Sequence, residues 1–244
     1  MFSIKRWERS PSRPILKFGQ AHVWRVDLSE MLPQVGSLLP LLTQEERQRG
    51  ERLVSTRLRQ RFFISHAILR LILSTYLEES PEEIQFKKAT HGKPSLDGYP
   101  LQFNMTHSED VALYVITSNT EVGIDVEYLK RMHDMDALVK RFFSKRENKE
   151  YQSFIGVERR LAFYRAWTRK EAYLKATGQG LSYPLDHFDV SLAADGMRCL
   201  LRINDSDEEA SAWTVFSFEP FQDYLASIAL KAPLDELTTY EFNS

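Results

Sequence analysis

Asp125 and Glu127 stand two positions apart in VGIDVEY, 122–128. Val122, Ile124, Val126 and Tyr128 alternate there with Gly123, Asp125 and Glu127, the period-two pattern of a β-strand. On a strand the two carboxylates point to one side, about 7 Å apart along the backbone, and Gly123 leaves room for something to approach. A third acid, Glu171, follows in ERRLAFYRAWTRKEAYLKATGQG, 158–180. At helical spacing Phe163, Trp167 and Leu174 form an apolar stripe with Glu171 at its margin. A partly desolvated carboxylate is costly unless a cation pairs with it. The plain alternative is a Glu171–Lys175 pair on a helix surface, worth about 0.3–0.5 kcal/mol. Three hard oxygen donors suit magnesium with phosphate completing its shell. There is no Cys/His cluster of zinc type.

Basic and donating groups are placed to complement such an anion. Arg47, Arg49, Arg52, Arg57, Arg59 and Arg61 are dense for a chain of net charge −2. They read either as a solvated face balanced by Glu45, Glu46 and Glu51 or as a phosphate-binding edge, for which the guanidinium fork is suited. Lys93 lies between Gly92 and Pro94, a pair expected to fix the local backbone and expose the ammonium. His107 stands in THSED, expected as the connection between strands Leu101–Met105 and Val111–Thr117, and either of its forms can donate a hydrogen bond to a phosphate oxygen. The set Asp125, Glu127, Glu171, Arg49, Arg61, Lys93, His107 and Lys175 points to phosphoryl chemistry governed by positioning and charge neutralisation. Neither a GxxxxGK phosphate loop nor GxGxxG is present.

The elements that must hold these groups are legible in part. Residues 1–20, interrupted by Pro11 and Pro14, are expected to be irregular. A strand is expected over 21–28. Thr43-Gln-Glu-Glu46 has capping-box spacing and starts a helical stretch to Leu77, broken near Gly50 or Ser55-Thr56. Ser80-Pro-Glu-Glu83 predicts one turn of helix, and 84–88 a strand. Beyond the acidic strand come a helix from about Asp134 to Phe142 and a second capping box at Ser144–Glu147. The long helix is closed by Gly178 and Gly180. Strands are expected over 187–192, 197–203, 212–218 and 224–230, with a turn at Asp195-Gly196 and an acidic loop at 204–209. No repeat is visible by eye. Helices, strands, helices, strands is an α+β order in two halves meeting near residue 120.

Bulk properties set the remaining bounds. The 244 residues, 43% hydrophobic and 27% charged, can build an ordinary soluble core. The slight negative charge gives no global attraction to nucleic acid or an anionic membrane. One cysteine, Cys199, fits a reducing compartment. No apolar run approaches the ~20 residues of a membrane span, and the N-terminus lacks an apolar signal core, so a cytoplasmic protein is expected. On the residues alone the chain reads as a magnesium-dependent enzyme of a phosphate-containing substrate, with a magnesium-dependent nuclease as a competing reading.

GKP at 92–94, FNMTHS at 103–108, GIDVE at 123–127, FFSKRE at 142–147 and WTRKEAYLKATGQGL at 167–181 resemble, in order, the Sfp-type 4'-phosphopantetheinyl transferases. RLRQRFFISHAILR upstream is similar to that family more loosely. The resemblance implies two pseudo-symmetric α+β halves, 1–122 on the coenzyme A phosphate side and 123–244 carrying the magnesium and catalytic residues, with the active site in the cleft. It implies transfer of phosphopantetheine from coenzyme A to a serine of an apo acyl or peptidyl carrier protein, releasing adenosine 3',5'-bisphosphate, by a monomer with no nucleic-acid or membrane partner. By motif, Asp125, Glu127 and Glu171 would bind Mg²⁺. Glu171 would also act as base and Lys175 would stabilise the leaving phosphate. Lys93 and His107 would hold phosphates of coenzyme A, beside Thr106 and Pro94, with Arg49 and Arg61 on the 3'-phosphate. Thr106 stands where the family usually has Ser, which keeps the hydroxyl. The carrier, whether of fatty-acid, polyketide or peptide synthesis, is left open.

Overall fold

The computed structural model describes residues 4, 6–88, 92–180, 183–194, 196–204 and 206–243. In chain order the elements are β1 (Glu8–Arg9), β2 (Gln20–Asp27), α1 (Val35–Leu38), α2 (Gln44–Glu51), α3 (Thr56–Leu77), β3 (Phe86–Lys88), β4 (Pro94–Leu96), β5 (Leu101–Ser108), β6 (Val111–Ser118) and β7 (Val122–Tyr128). Then follow α4 (Met135–Phe142), α5 (Lys145–Ser153), α6 (Gly156–Thr177), β8 (Phe188–Val190), β9 (Leu200–Ile203), α7 (Asp207–Ser211), β10 (Thr214–Phe218), β11 (Tyr224–Leu230) and β12 (Glu236–Glu241). The fold is α+β. A five-stranded sheet runs β1-β12-β2-β6-β5 and a three-stranded sheet β10-β11-β7, with two small hairpins, β3-β4 and β8-β9.

Three apolar cores stack these layers. Trp24 and Val26 of β2 and Tyr114 and Ile116 of β6 bury one face of the large sheet against Ile64, Ile68 and Ile72 of α3. Val23, Leu113 and Val115 on its other face meet Ile124 and Val126 of β7 with Phe216 and Ile228. The opposite face of the small sheet packs on Phe163, Tyr173 and Leu174 of α6. Alternation along each strand feeds two cores at once. β7 therefore lies between the large sheet and α6.

The two long helices are built alike. Each spans 22 residues, and each is preceded by a short helix with a complete capping box, Thr43–Glu46 on α2 and Ser144–Glu147 on α5. In both, the box glutamate also meets a buried cation at the same depth in the long helix: Glu46–Arg70 at 3.0 Å and Glu147–Lys170 at 2.8 Å. Glu147 additionally accepts from Val190 N, and Lys170 Nζ donates to the Leu185 and Phe188 carbonyls. This repeat is one of geometry, which reading by eye does not reveal.

Several expectations are corrected. β5 runs through Ser108, so Thr106 and His107 belong to a strand and not to its connection. Residues 81–83 form a turn without a helix. The acidic stretch after Asn204 contains α7, capped by Ser206 accepting from Glu209 N. Near the chain start, β1 pairs with β12, which itself was unforeseen and lies parallel to β2 in the first half's sheet. The turn expected at Asp195-Gly196 involves Asp195, which lies outside the described residues.

Candidate active site

Close packing sets the position of the acids. Gly123 is pressed against α6: a Cβ there would collide with the Ala172 carbonyl oxygen and the Ala176 amide. The space left by the missing side chain is thus filled by helix backbone, not by a ligand, correcting the first reading of this glycine. Two residues on, Asp125 is 5% exposed. Its Oδ1 accepts from Lys175 Nζ at 2.6 Å and from Thr106 Oγ1 at 3.2 Å, while Lys175 also donates to Thr106 Oγ1 at 3.1 Å. Lys175 therefore closes a pair between α6 and β7 and not the intrahelical pair with Glu171. Asp125 Oδ2 is buried with no hydrogen-bond partner.

Side chains, more than a backbone ladder, join β5 to β7. Asn104 Oδ1 accepts from Ile124 N at 3.0 Å, and Ser108 Oγ donates to Glu127 Oε2 at 3.0 Å and accepts from Tyr128 N at 3.1 Å. Asn104, Thr106 and Ser108 share one face of β5 by period two. Asn104 and Ser108 went unassigned in the sequence, although their i, i+2, i+4 spacing with Thr106 was the available signal.

The electrostatics of the acids reflect their convergence. Burial, with Asp125 and Glu127 nearby, pushes Glu171 up to about 7 against the opposing pull of Lys175. Glu127 is raised by burial and by Asp125. A carboxyl group near neutrality can exchange a proton at working pH. His107, on the opposite face of β5 from Thr106, is lowered by desolvation together with the charges of Lys175 and Arg61.

The remaining basic residues divide. Arg49 lies 5.5 Å over the Phe62 ring and, with His66, Gly92, Pro94 and Met105, lines a cavity of about 300 Å³. Met105 and His107 lie on one face of β5, so the cavity and the histidine share it. Arg61 is engaged within the protein, with Asp110 Oδ1 at 2.7 Å and Glu109 Oε2 at 3.1 Å. Lys93 does not present its ammonium to solvent: Nζ donates to the Val122 carbonyl at 2.9 Å and the Ala176 carbonyl at 2.8 Å, and desolvation pulls it down to about 8. The fixed loop turns this side chain inward, where free helix-end carbonyls need donors.

Does this donor set fit a divalent cation? Hard oxygens and the orphaned Asp125 Oδ2 favour it. Among the described residues, no group of three or more His, Cys, Asp or Glu side chains is placed to hold a metal ion, so Asp125, Glu127 and Glu171 are not pre-assembled as the three-carboxylate set expected from the sequence.

Residues 121–229, which contain β7 and α6, match the model of the 4'-phosphopantetheinyl transferase superfamily. The chain is 33% identical over 228 residues to the 4'-phosphopantetheinyl transferase HetI of Nostoc sp., covering 92% of this chain and 93% of that one. It is 31% identical over 188 residues to the 4'-phosphopantetheinyl transferase psf-1 of Bacillus pumilus, covering 77% and 78%. A putative 4'-phosphopantetheinyl transferase of Synechocystis sp. is 35% identical over 153 residues, 62% of each chain. The chain belongs to the 4'-phosphopantetheinyl transferase superfamily. It is a transferase enzyme.

Proposed function

We propose that this enzyme moves the 4'-phosphopantetheine group of coenzyme A onto a serine hydroxyl of an apo acyl or peptidyl carrier protein, releasing adenosine 3',5'-bisphosphate with Mg²⁺ as cofactor. The observation that carries the reading is the Lys175–Asp125 pair between α6 and β7, with Glu127 two residues along the strand and Glu171 one turn before Lys175, raised by burial and by both acids. The cavity at Arg49 and Pro94 would take the nucleoside end of coenzyme A. β5 borders both the cavity, through Met105, and the carboxylates, through Thr106 and Ser108, so a ligand held at the cavity would cross β5 to reach them. Residues 1–122 would thus hold the coenzyme and 123–244 the catalytic groups, with β12 crossing back to the first sheet. One chain supplies both sides, which supports a monomer. The single cysteine suits the cytoplasm.

Asp125, Glu127 and Glu171 would hold the magnesium, which when bound draws charge from the pyrophosphate. Glu171, near neutrality, accepts the proton of the carrier serine, directly or through a water. The serine oxygen attacks the β-phosphorus, the bond from that phosphorus to the bridging oxygen breaks, and its electron pair leaves with adenosine 3',5'-bisphosphate. Lys175, already oriented by Thr106, exchanges Asp125 for the developing negative charge on the departing phosphate. The test is intact-mass measurement of a panel of apo carrier proteins incubated with the enzyme, coenzyme A and Mg²⁺. One phosphopantetheine should be added to at least one carrier, and the addition should be lost with Asp125→Ala or Glu171→Ala in folded protein. Normal turnover by both variants would refute the assignment.

A further inference from the structure

Lys93 stands in the loop that supplies Gly92 and Pro94 to the cavity, yet its ammonium turns away from that cavity. Two of its three donors are taken by carbonyls on different elements, Val122 at the start of β7 and Ala176 in the last turn of α6. The last carbonyls of a helix have no donor partners within it, and a cation there also meets the negative end of the helix dipole. The side-chain stem continues the contact: a Cβ on Gly178, the left-handed residue that ends α6, would lie 3.7 Å from Lys93 Cδ.

The two carbonyls sit beside the reacting groups. Val122 is three residues before Asp125 on the same strand. Ala176 follows Lys175 directly and lies just over one turn from Glu171. Gly123 lets α6 approach β7 to backbone contact, which fixes their separation but leaves the end of the helix to be held. From this geometry we infer that Lys93 is a positioning residue: it clamps the C-terminal turn of α6 to β7 and so fixes Glu171 and Lys175 against Asp125 and Glu127. This rests on the reading that those four groups are the catalytic set. It departs from the expectation that Lys93 holds a phosphate of coenzyme A. Misplacement of a reacting group by about 1 Å can cost about a hundredfold in rate while leaving a ligand's remote contacts intact.

The test compares Lys93→Met, which keeps the stem but has no donors, and Lys93→Arg, which keeps a cation, with wild type in the full chain. Coenzyme A affinity is measured calorimetrically with Mg²⁺ and no acceptor, turnover at saturating coenzyme A and carrier, and amide hydrogen exchange over α6. For Lys93→Met we expect kcat to fall about 10- to 100-fold, coenzyme A Kd to stay within about twofold, and exchange to quicken selectively in the last turn of α6. Lys93→Arg should recover part of the turnover. A tenfold or greater loss of coenzyme A affinity with unchanged saturated turnover would overturn the inference in favour of phosphate binding; unchanged exchange at the helix end would also overturn it. Should Lys93→Met fail to fold, Lys93→Gln, which is shorter and uncharged and cannot span both carbonyls, decides by the same criteria, a selective loss of kcat with faster exchange supporting the clamp and intact kcat and exchange refuting it. If wild type itself transfers to no carrier, the functional reading falls, while the exchange measurement still decides whether Lys93 holds the helix.

Discussion

Replacing Glu171 by Gln should stabilise the metal-free enzyme, and only at higher pH. In the folded protein Glu171 is raised from 4.5 to about 7 by burial first, then by Asp125 and Glu127. Between those two values the folded state binds more protons than the unfolded state. Stability therefore falls as pH rises from about 4.5, and the full penalty is present above about 7. At about 1.4 kcal/mol per pH unit the displacement corresponds to about 3 kcal/mol, an upper value because neighbouring carboxylates titrate with it. Glutamine preserves shape and removes the charge. Thermal unfolding in EDTA should show Glu171→Gln close to wild type at pH 5 and more stable at pH 8, by up to roughly 6–12 °C for a chain of this size. Parallel stability curves from pH 5 to 8 would refute the reasoning, since they would mean that Glu171 carries no penalty in the folded state. The same variant should lose transfer, so the carboxylate costs stability where it serves chemistry.

Gly123→Ala should cost about 3 kcal/mol, because its Cβ meets helix backbone that cannot rotate aside; urea denaturation measures this, and a change below about 1 kcal/mol would show that α6 can draw back freely. Lys170→Met should cost about 3–5 kcal/mol by leaving Glu147 buried and unpaired, whereas Lys170→Met combined with Glu147→Leu should cost less than the single change. Equal losses from the single and double variants in denaturant titrations would mean that the pair itself, and not the stranded charge, sets the cost.

What was legible in the sequence had a local cause. The capping boxes at Thr43 and Ser144 formed as expected because both partners lie within one helical turn. The strand 122–128 and the end of α6 near Gly178 follow from alternation and from a residue that adopts a left-handed backbone without strain. The residues around Asp125, Glu127 and Glu171 could be grouped by chemical type before any fold was known, and the motifs carried the family resemblance. Where partners are distant in the chain, local pattern said little. The plain alternative paired Lys175 with Glu171 four residues away, and the fold gives it Asp125, fifty residues away. Arg61, read as part of an acid-balanced face or a phosphate edge, and Lys93, read as an exposed ammonium, both meet partners on other elements. β12 was missed because its place depends on a parallel neighbour more than two hundred residues earlier.

The opening reading of Asp125 and Glu127 is sharpened by the same distinction. Their shared face and their spacing are consequences of a two-residue backbone period, which sequence alone determines. The pressure of α6 on Gly123, the neutralising Lys175, the side-chain joint to β5 and the desolvation that lifts Glu171 exist only once distant segments pack together. Charge interactions depend on distance and on exclusion of water, and neither is written in the local order of residues.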